Sequence, residues 1–186
     1  ANITIFNALK KSDFDKNGKY CVDRYISAHA IMISLEGVPA IYFNSLFGTS
    51  NDEAKFVISG NNRDINRYRW NLKNITSKLK DNKTKQSIFY TNICNLLEIR
   101  RKQKAFHPNA SRLNLDFGQK IYGFKRISKD KKQTIICITN LSSKIQKIKI
   151  NRKNQKMTNL MNSEIHIESK KFLVLKPFET IWLSNK

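Results

Sequence analysis

The sequence predicts an α/β segment followed by a segment of antiparallel β-strands. A helical apolar pattern over residues 20–36 ends at Gly37, and the apolar run 38–43 follows at once. A strand that is apolar on both faces normally lies in a parallel sheet covered by helices. Beyond residue 110 the pattern changes to short β-like runs separated by turn residues, which is typical of antiparallel pairing.

Two helices are predicted in the N-terminal half of the chain. Residues 2–9 are predicted to be extended, and 10–19, rich in Asp, Lys, Asn and Gly, to form a loop. In the helix over 20–36 the apolar residues cover a wide face, and Gly37 suits a left-handed C-cap. A second amphipathic helix is predicted over 84–104, since three basic residues in its last turns favour a helix C-terminus.

A long polar segment, residues 44–69, separates the two predicted helices. It is interpreted as a loop, and loops of this length in compact domains are usually functional. It follows the C-terminal end of the predicted strand 38–43, which is the side where α/β folds bind ligands. We therefore expect the ligand-binding residues of this chain to lie in 44–69.

Short strands are predicted throughout the C-terminal part of the chain. Their ranges are 120–127, 134–140, 145–150, 157–160, 165–168, 172–175 and 180–183. Such regular short strands predict a small antiparallel β-sandwich. Pro108 ends the preceding helical pattern, so the predicted domains are 1–108 and 109–186.

The chain is strongly basic, with a formal net charge of +21 from 35 Lys and Arg against 14 Asp and Glu. Such a balance leaves open a non-enzymatic module that binds nucleic acid or another polyanion. The cations are spread along the chain, however, with the densest clusters at 129–132 and 144–156. Within the second cluster Lys and Ile alternate loosely, as on the solvated face of an antiparallel strand. This distribution disfavours a nucleic-acid surface, so a module that binds nucleic acid or another polyanion is kept only as the alternative to an enzyme.

Cysteine and histidine positions predict neither a disulfide nor a metal centre. Cys21, Cys94 and Cys137 are widely spaced in apolar segments, which is typical of buried thiols in a reducing compartment. The three histidines show no metal-ligand spacing, and no cofactor is expected. No apolar run approaches the ~18 residues of a membrane span. We expect a cytoplasmic protein with no membrane partner.

Five short segments carry a family resemblance: 2–4, 28–32, 37–43, 62–67 and 105–110. The most specific is Asn62-Arg63-Asp64-Ile65-Asn66-Arg67, which follows Gly37-Val38-Pro39 at a characteristic distance. In these segments the chain resembles the C-terminal third of sucrose phosphorylases and of relatives such as glucosylglycerate phosphorylases, which belong to the α-amylase family. His107-Pro108-Asn109 is similar to the glucosylglycerate type in particular.

The resemblance implies the end of a (β/α)8 TIM barrel, with its seventh helix, eighth strand and eighth helix, followed by a C-terminal β domain. It also implies that the catalytic nucleophile, acid/base and third carboxylate come from earlier barrel strands. None of these catalytic residues is therefore expected in this chain. The implied partner is an N-terminal barrel segment, without which the chain would be inactive.

The chemistry that the resemblance implies is retaining glucosyl transfer from a sucrose-like or glucosylglycerate-like donor to inorganic phosphate, giving glucose 1-phosphate. Phosphate beside an anionic nucleophile requires fixed positive charge. Arg63 matches the family arginine on the acceptor side, and Asp64, Arg67 and Asn44 are the further substrate-binding candidates. Asp64 and Arg67 could instead anchor the loop. A hydrolase or glucosyltransferase of the same family stays open.

Overall fold

The computed structural model describes residues 2–13, 15–150, 157–162, 166–167 and 172–186. The chain forms two compact units that alternate in sequence. One comprises Ala1–Ile26 and Ala40–Cys94, and the other comprises Ser27–Pro39 and Asn95–Lys186. The predicted division into 1–108 and 109–186 stays a prediction.

Helices dominate the first unit. The α-helices of the chain are α1 (Ile5–Leu9), α2 (Cys21–Ser34), α3 (Glu53–Ser59), α4 (Leu72–Lys80) and α5 (Lys85–Lys102). Short 3₁₀ helices form at Phe43–Phe47, Asn62–Asn66 and Lys104–Phe106. No helix in the described part of the chain is both long enough and apolar enough to cross a bilayer. The predicted helices over 20–36 and 84–104 are confirmed as α2 and α5.

An aromatic core organises the first unit. The ring of Phe89 lies 4.5 Å from that of Tyr25 and 5.6 Å from that of Phe6, centroid to centroid. Gly48 packs directly against Phe89. The Tyr25 hydroxyl donates a hydrogen bond of 2.5 Å to the carbonyl of Ser45. These contacts fix the segment after residue 42 against α2 and α5.

The prediction that 2–9 is extended was wrong. Thr4 is instead the N-cap of α1, and its hydroxyl accepts a hydrogen bond of 3.2 Å from the backbone N–H of Asn7. A five-residue helix is too short to show a clear apolar period, so the cap was its main sequence signal.

The predicted strand over 38–43 is also absent. Residues 38–42 take no regular secondary structure, and a 3₁₀ helix begins at Phe43. A strand needs a neighbour for its backbone groups, and within the described residues no parallel strand lies beside this segment. Gly37 does adopt a positive φ of 79°, as the helix-end prediction requires.

Short helices occupy much of the segment 44–69 that was interpreted as a loop, and α4 follows it without having been predicted. Three polar side chains begin these helices: Asp52 accepts from the N–H of Lys55, Asn61 from that of Arg63, and Asn71 from that of Asn74. Asp and Asn suit both turns and N-caps, so a polar composition did not separate the two structures.

The second unit contains every described strand. They are β1 (Ser111–Asp116), β2 (Ile121–Ile127), β3 (Thr134–Asn140), β4 (Gln146–Lys149), β5 (Met157–Asn159), β6 (His166–Ile167), β7 (Phe172–Leu175) and β8 (Thr180–Ser184). A six-stranded antiparallel sheet has the order β1-β2-β3-β8-β5-β6, and β4 pairs with β7. Residues from both sheets, including Ile138, Ile148, Leu175 and Leu183, share one buried apolar cluster. The predicted antiparallel character is confirmed.

Two features of the strands differ from the sequence analysis. β1 was not predicted, because it has only two apolar residues, Leu113 and Leu115. The strand predicted over 165–168 is described at His166–Ile167, and its end residues lie outside the described part. Alternation in the basic cluster is confirmed in β4, where Ile148 is buried between exposed Lys147 and Lys149.

Two buried arginines close the C-terminal end of α2 within the second unit. Arg126 donates to the carbonyls of Ser34, at 2.7 Å, of His107, at 2.8 Å, and of Ala110, at 3.2 Å. Arg100 likewise donates to the carbonyls of Ile33, Leu35 and Gly37. The last carbonyls of a helix have no partner inside the helix, so these side chains supply the missing donors.

Candidate functional site

Asn44 lies just after the predicted strand, inside the first 3₁₀ helix, and it is 4% exposed. Its side-chain Nδ2 donates a hydrogen bond of 3.0 Å to the carbonyl of Tyr68. Its Oδ1 is buried and has no hydrogen-bond partner within the described residues. A buried amide oxygen usually has a donor, so this acceptor calls for an explanation.

A small cavity of about 170 Å³ lies beside Asn44 in the first unit. Its polar lining comes from Thr4, Asn44, Ser45, Thr49 and Asn66, and its apolar lining includes Ile3 and Ile5. None of the lining residues carries a charge. The cavity therefore offers hydroxyl and amide groups to a ligand, but no ionic partner.

Thr49 connects this cavity to the aromatic residues around it. Its hydroxyl oxygen accepts a hydrogen bond of 3.0 Å from the indole Nε1 of Trp70. Trp70 in turn packs edge-on against Tyr68, with ring centroids 4.9 Å apart. Tyr68 also supplies the carbonyl that holds the Asn44 amide, so Asn44 and Thr49 are both anchored to the segment 68–70.

Arg63 lies near the start of the 3₁₀ helix Asn62–Asn66, which Asn61 caps by accepting the Arg63 backbone N–H at 3.0 Å. Its side chain is exposed, and in the described part of the chain its guanidinium takes no hydrogen-bond or ion-pair partner. An unpaired guanidinium can fork onto two oxygens of a carboxylate or a phosphate.

Asp64 is already engaged within the protein. Its carboxylate forms an ion pair of 3.0 Å with Lys55 Nζ. Hydrogen bonds from Lys55 and Ser59 hold the pKa of this carboxyl below its usual value. The backbone N–H of Asp52 donates to the carbonyl of Ile65 at 2.7 Å. These contacts tie α3 to the segment that carries Arg63.

Arg67 ends the same 3₁₀ helix. Its backbone N–H donates to the carbonyl of Asp64 at 3.2 Å, and its side chain is exposed. Arg63, Asp64 and Arg67 do not line the cavity, whereas Asn44 and Asn66 do. The candidates therefore lie in two places: Asn44 lines a neutral cavity, and Arg63, Asp64 and Arg67 lie on a charged 3₁₀-helical turn at the surface.

Four polar lining residues were missed by the sequence analysis: Thr4, Ser45, Thr49 and Asn66. Thr4 lay in a segment interpreted as extended, and the other three lay in one interpreted as a loop. Thr4 is the N-cap of α1, which was the available signal for that residue. No sequence signal marked Ser45, Thr49 or Asn66 as cavity residues. Among the described residues, no cluster of His, Cys, Asp or Glu is placed to hold a metal ion.

Comparison with known proteins relates the chain to a group of enzymes. It is 32% identical, over 98% of its length, to glucosylglycerate phosphorylase from Escherichia coli (strain K12), of which it covers 31%. It is 28% identical, over 97% of its length, to glucosylglycerate phosphorylase from Allomeiothermus silvanus, of which it covers 30%. The chain is a homologue of glucosylglycerate phosphorylases. It spans about a third of the length of these curated relatives.

The fold of this phosphorylase homologue also occurs in α-amylase-family enzymes. Trehalose-6-phosphate hydrolase from Bacillus licheniformis superposes with a TM-score of 0.65 at 16% identity, covering 93% of this chain and 40% of that one. The structure of AmyP E221Q in complex with maltotriose superposes with a TM-score of 0.72 at 14% identity, covering 90% of this chain and 35% of that one. At these identities the likeness shows the fold alone. No family model matches the chain.

Proposed function

We propose that this chain is the C-terminal part of a retaining α-glucosyl phosphorylase. The reaction would transfer a glucosyl unit from a glucosylglycerate-like or sucrose-like donor to inorganic phosphate and release glucose 1-phosphate. The observation that carries this proposal is the 32% identity to a glucosylglycerate phosphorylase across 98% of the chain. The three free cysteines suit a reducing compartment such as the cytoplasm.

The proposed architecture is the end of a (β/α)8 barrel over 1–108 and a β-sandwich over 109–186. Its support is the surface of the segment 38–43, in which Val38 is 80% exposed, Phe43 57% and Tyr42 56%. Burying a large apolar side chain contributes about 1.5–3 kcal/mol. Preceding barrel strands would cover these side chains and give the segment the strand partners that it lacks among the described residues.

The catalytic carboxylates belong, in this proposal, to the preceding part of the protein. Retaining glycosidases use one carboxylate as nucleophile and a second carboxyl as acid and then base. A phosphorylase places phosphate, rather than water, against the glucosyl-enzyme intermediate. The chain alone would bind at most part of the substrate and would be inactive.

Arg63 is the proposed anion-binding residue. Its guanidinium, which is unpaired among the described residues, suits either the incoming phosphate or the carboxylate of a glycerate leaving group, since both present paired oxygens. Arg67 adds a second positive charge on the same turn. Asp64 supports the turn through its ion pair with Lys55, and Asn44 would contact a sugar hydroxyl.

Substitution of Arg63 in the full-length protein tests this role. Loss of a charge-assisted hydrogen bond costs about 1.5–3 kcal/mol, so Arg63→Ala should lower kcat/KM for phosphorolysis about 10- to 100-fold. Arg63→Lys should restore part of the loss, because it keeps the charge but not the fork. Lys73→Ala, an exposed change in α4, is the matched control. An unchanged kcat/KM in Arg63→Ala would refute the assignment.

A further inference from the structure

We propose that Lys55 is a positioning residue: it holds the Asp64 carboxylate away from Arg63 and Arg67 and so keeps both guanidinium groups available to an anionic ligand. The inference deepens the proposed function and rests on it for the identity of the anion. It concerns a competition inside the turn, because a carboxylate that is not held by Lys55 would occupy an arginine that the ligand needs.

The competing carboxylate lies on the same turn as the two arginines. Asp64 follows Arg63 directly and precedes Arg67 by three positions, and residues three apart lie on the same side of a 3₁₀ helix. Hydrogen bonds from Lys55 and Ser59 are the main causes of the lowered pKa of Asp64, and the positive charge of Arg67 is a further one. Arg67 is therefore the arginine with which Asp64 would pair in the absence of Lys55.

Lys55, on α3, holds this carboxylate instead. Its Nζ lies 3.0 Å from Oδ1 of Asp64, and the pair is partly sheltered, with the Asp64 side chain 18% exposed and that of Lys55 35%. In the part of the chain that the structure describes, neither Arg63 nor Arg67 forms an ion pair. A carboxylate beside an ammonium group attracts a second cation less strongly, because the two charges largely cancel.

Backbone contacts hold the turn in place without this ion pair. The N–H of Asp52 donates to the carbonyl of Ile65 at 2.7 Å. The side-chain oxygen of Asn61 accepts from the N–H of Arg63 at 3.0 Å. Neither bond involves the side chains of Lys55 or Asp64, so both persist when these two are replaced. Loss of the ion pair should therefore change the charge beside the arginines more than the path of the backbone.

Equilibrium binding of inorganic phosphate to the full-length protein, measured by titration calorimetry, tests the inference. We expect Lys55→Met to weaken phosphate binding about three- to fivefold, the effect of a partly exposed carboxylate–arginine pair that competes with the ligand. Lys55→Arg keeps the ion pair and should bind phosphate as the wild type does. Adding Asp64→Asn to Lys55→Met should restore the affinity, because the competing carboxylate is then absent. Lys73→Met, an exposed change in α4 that removes the same charge, is the control and should leave the affinity unchanged.

The double variant separates this role from a purely structural one. If Lys55 only braced the turn, the double variant would bind phosphate as weakly as Lys55→Met, and Asp64→Asn alone would bind it more weakly than the wild type. Either result overturns the inference, as does an unchanged affinity in Lys55→Met or a wild-type protein that does not bind phosphate. Asp64→Asn decides if Lys55→Met fails to fold, since it should bind phosphate at least as tightly as the wild type.

The outcomes also separate the inference from the proposed function. Phosphate binding that follows the expected pattern, in a protein that releases no glucose 1-phosphate, would support the role of Lys55 and reject the phosphorylase. Release of glucose 1-phosphate with the same KM for phosphate in Lys55→Met as in the wild type would support the phosphorylase and reject the role of Lys55.

Discussion

At the scale of single residues, Gly48 is a position where both backbone and packing require glycine. Its φ of 56° lies in the left-handed region, and an added Cβ would collide with the ring of Phe89. Gly60 has a similar φ of 64°, but a Cβ there would meet nothing within 4 Å. A comparison of substitutions at the two glycines therefore separates the effect of backbone strain from that of a steric clash.

We expect Gly60→Ala to cost about 1–2 kcal/mol, because a left-handed conformation is unfavourable for alanine. Gly48→Ala should cost a further ~1–3 kcal/mol from overpacking against Phe89. Urea denaturation of the two variants measures the difference. Equal losses of stability would contradict the close packing of Gly48 on Phe89.

A second residue-scale feature is the turn before β3, which Asp130 stabilises. Hydrogen bonds from the Ser128 hydroxyl and the Lys132 backbone N–H lower the pKa of Asp130 to about 2. Because the pKa of this carboxyl is lower in the folded state, its contribution to stability is present above pH 4. That contribution is lost as the pH falls toward 2.

Asp130→Asn should therefore be less stable than the wild type at pH 6, and the difference should shrink between pH 4 and pH 2. Denaturation curves of both proteins across this range measure the effect. A difference that stays constant with pH would show that the Asp130 carboxylate does not stabilise the turn.

At the scale of elements, the end of α2 depends on side chains that are distant in sequence. Arg126, on β2, is fully buried and donates to three backbone carbonyls. Burial lowers the pKa of this guanidinium, because removing a charge from water costs free energy. The hydrogen bonds to the carbonyls offset part of that cost. An apolar side chain in its place would remove this donor from the carbonyls of Ser34 and Ala110, whereas the carbonyl of His107 also accepts from the N–H of Ala110 at 2.9 Å.

We expect Arg126→Met to lower the free energy of unfolding by at least about 2 kcal/mol, since each unpaired buried carbonyl costs about 1–3 kcal/mol. Lys125→Met, one residue away and half-buried, should change it by no more than about 0.5 kcal/mol. Chemical denaturation measures both. A loss in Arg126→Met no larger than in the control would show that the carbonyls find other donors.

Elements with a long or regular pattern could be predicted from the sequence, and locally capped ones could not. α2, α5 and most strands of the second unit follow from apolar periodicity. α1 and α3 depend on single polar caps, Thr4 and Asp52, and these are also common in loops. Within the site, the family resemblance pointed to Arg63. That Asn66 and Ser45 line the cavity could be recognised only from the folded structure.

At the scale of the whole molecule, the segment 38–43 is where the sequence and the structure differ most. Its apolar composition predicts a buried strand, but Val38, Tyr42 and Phe43 are exposed. The conformation of a strand depends on neighbours that are often far away in sequence, and composition alone does not reveal them. In the proposed architecture, preceding barrel strands would cover these side chains.

The net charge of +21 is the other whole-molecule property. It raised the alternative of a polyanion-binding module, and in β4 the lysines lie on the exposed face of a strand whose Ile148 is buried. The homology to glucosylglycerate phosphorylases favours the proposed phosphorylase over a polyanion-binding module. Binding to a polyanion would weaken steeply with salt, whereas recognition of a neutral sugar would not.

The most direct measurement is the product that the full-length protein forms from glucosylglycerate and inorganic phosphate, followed by ¹H and ³¹P NMR. We expect α-glucose 1-phosphate to accumulate together with glycerate, at a rate that depends on phosphate. Release of free glucose at a rate independent of phosphate, or no cleavage of either a glucosylglycerate or a sucrose donor, would contradict the proposed phosphorylase.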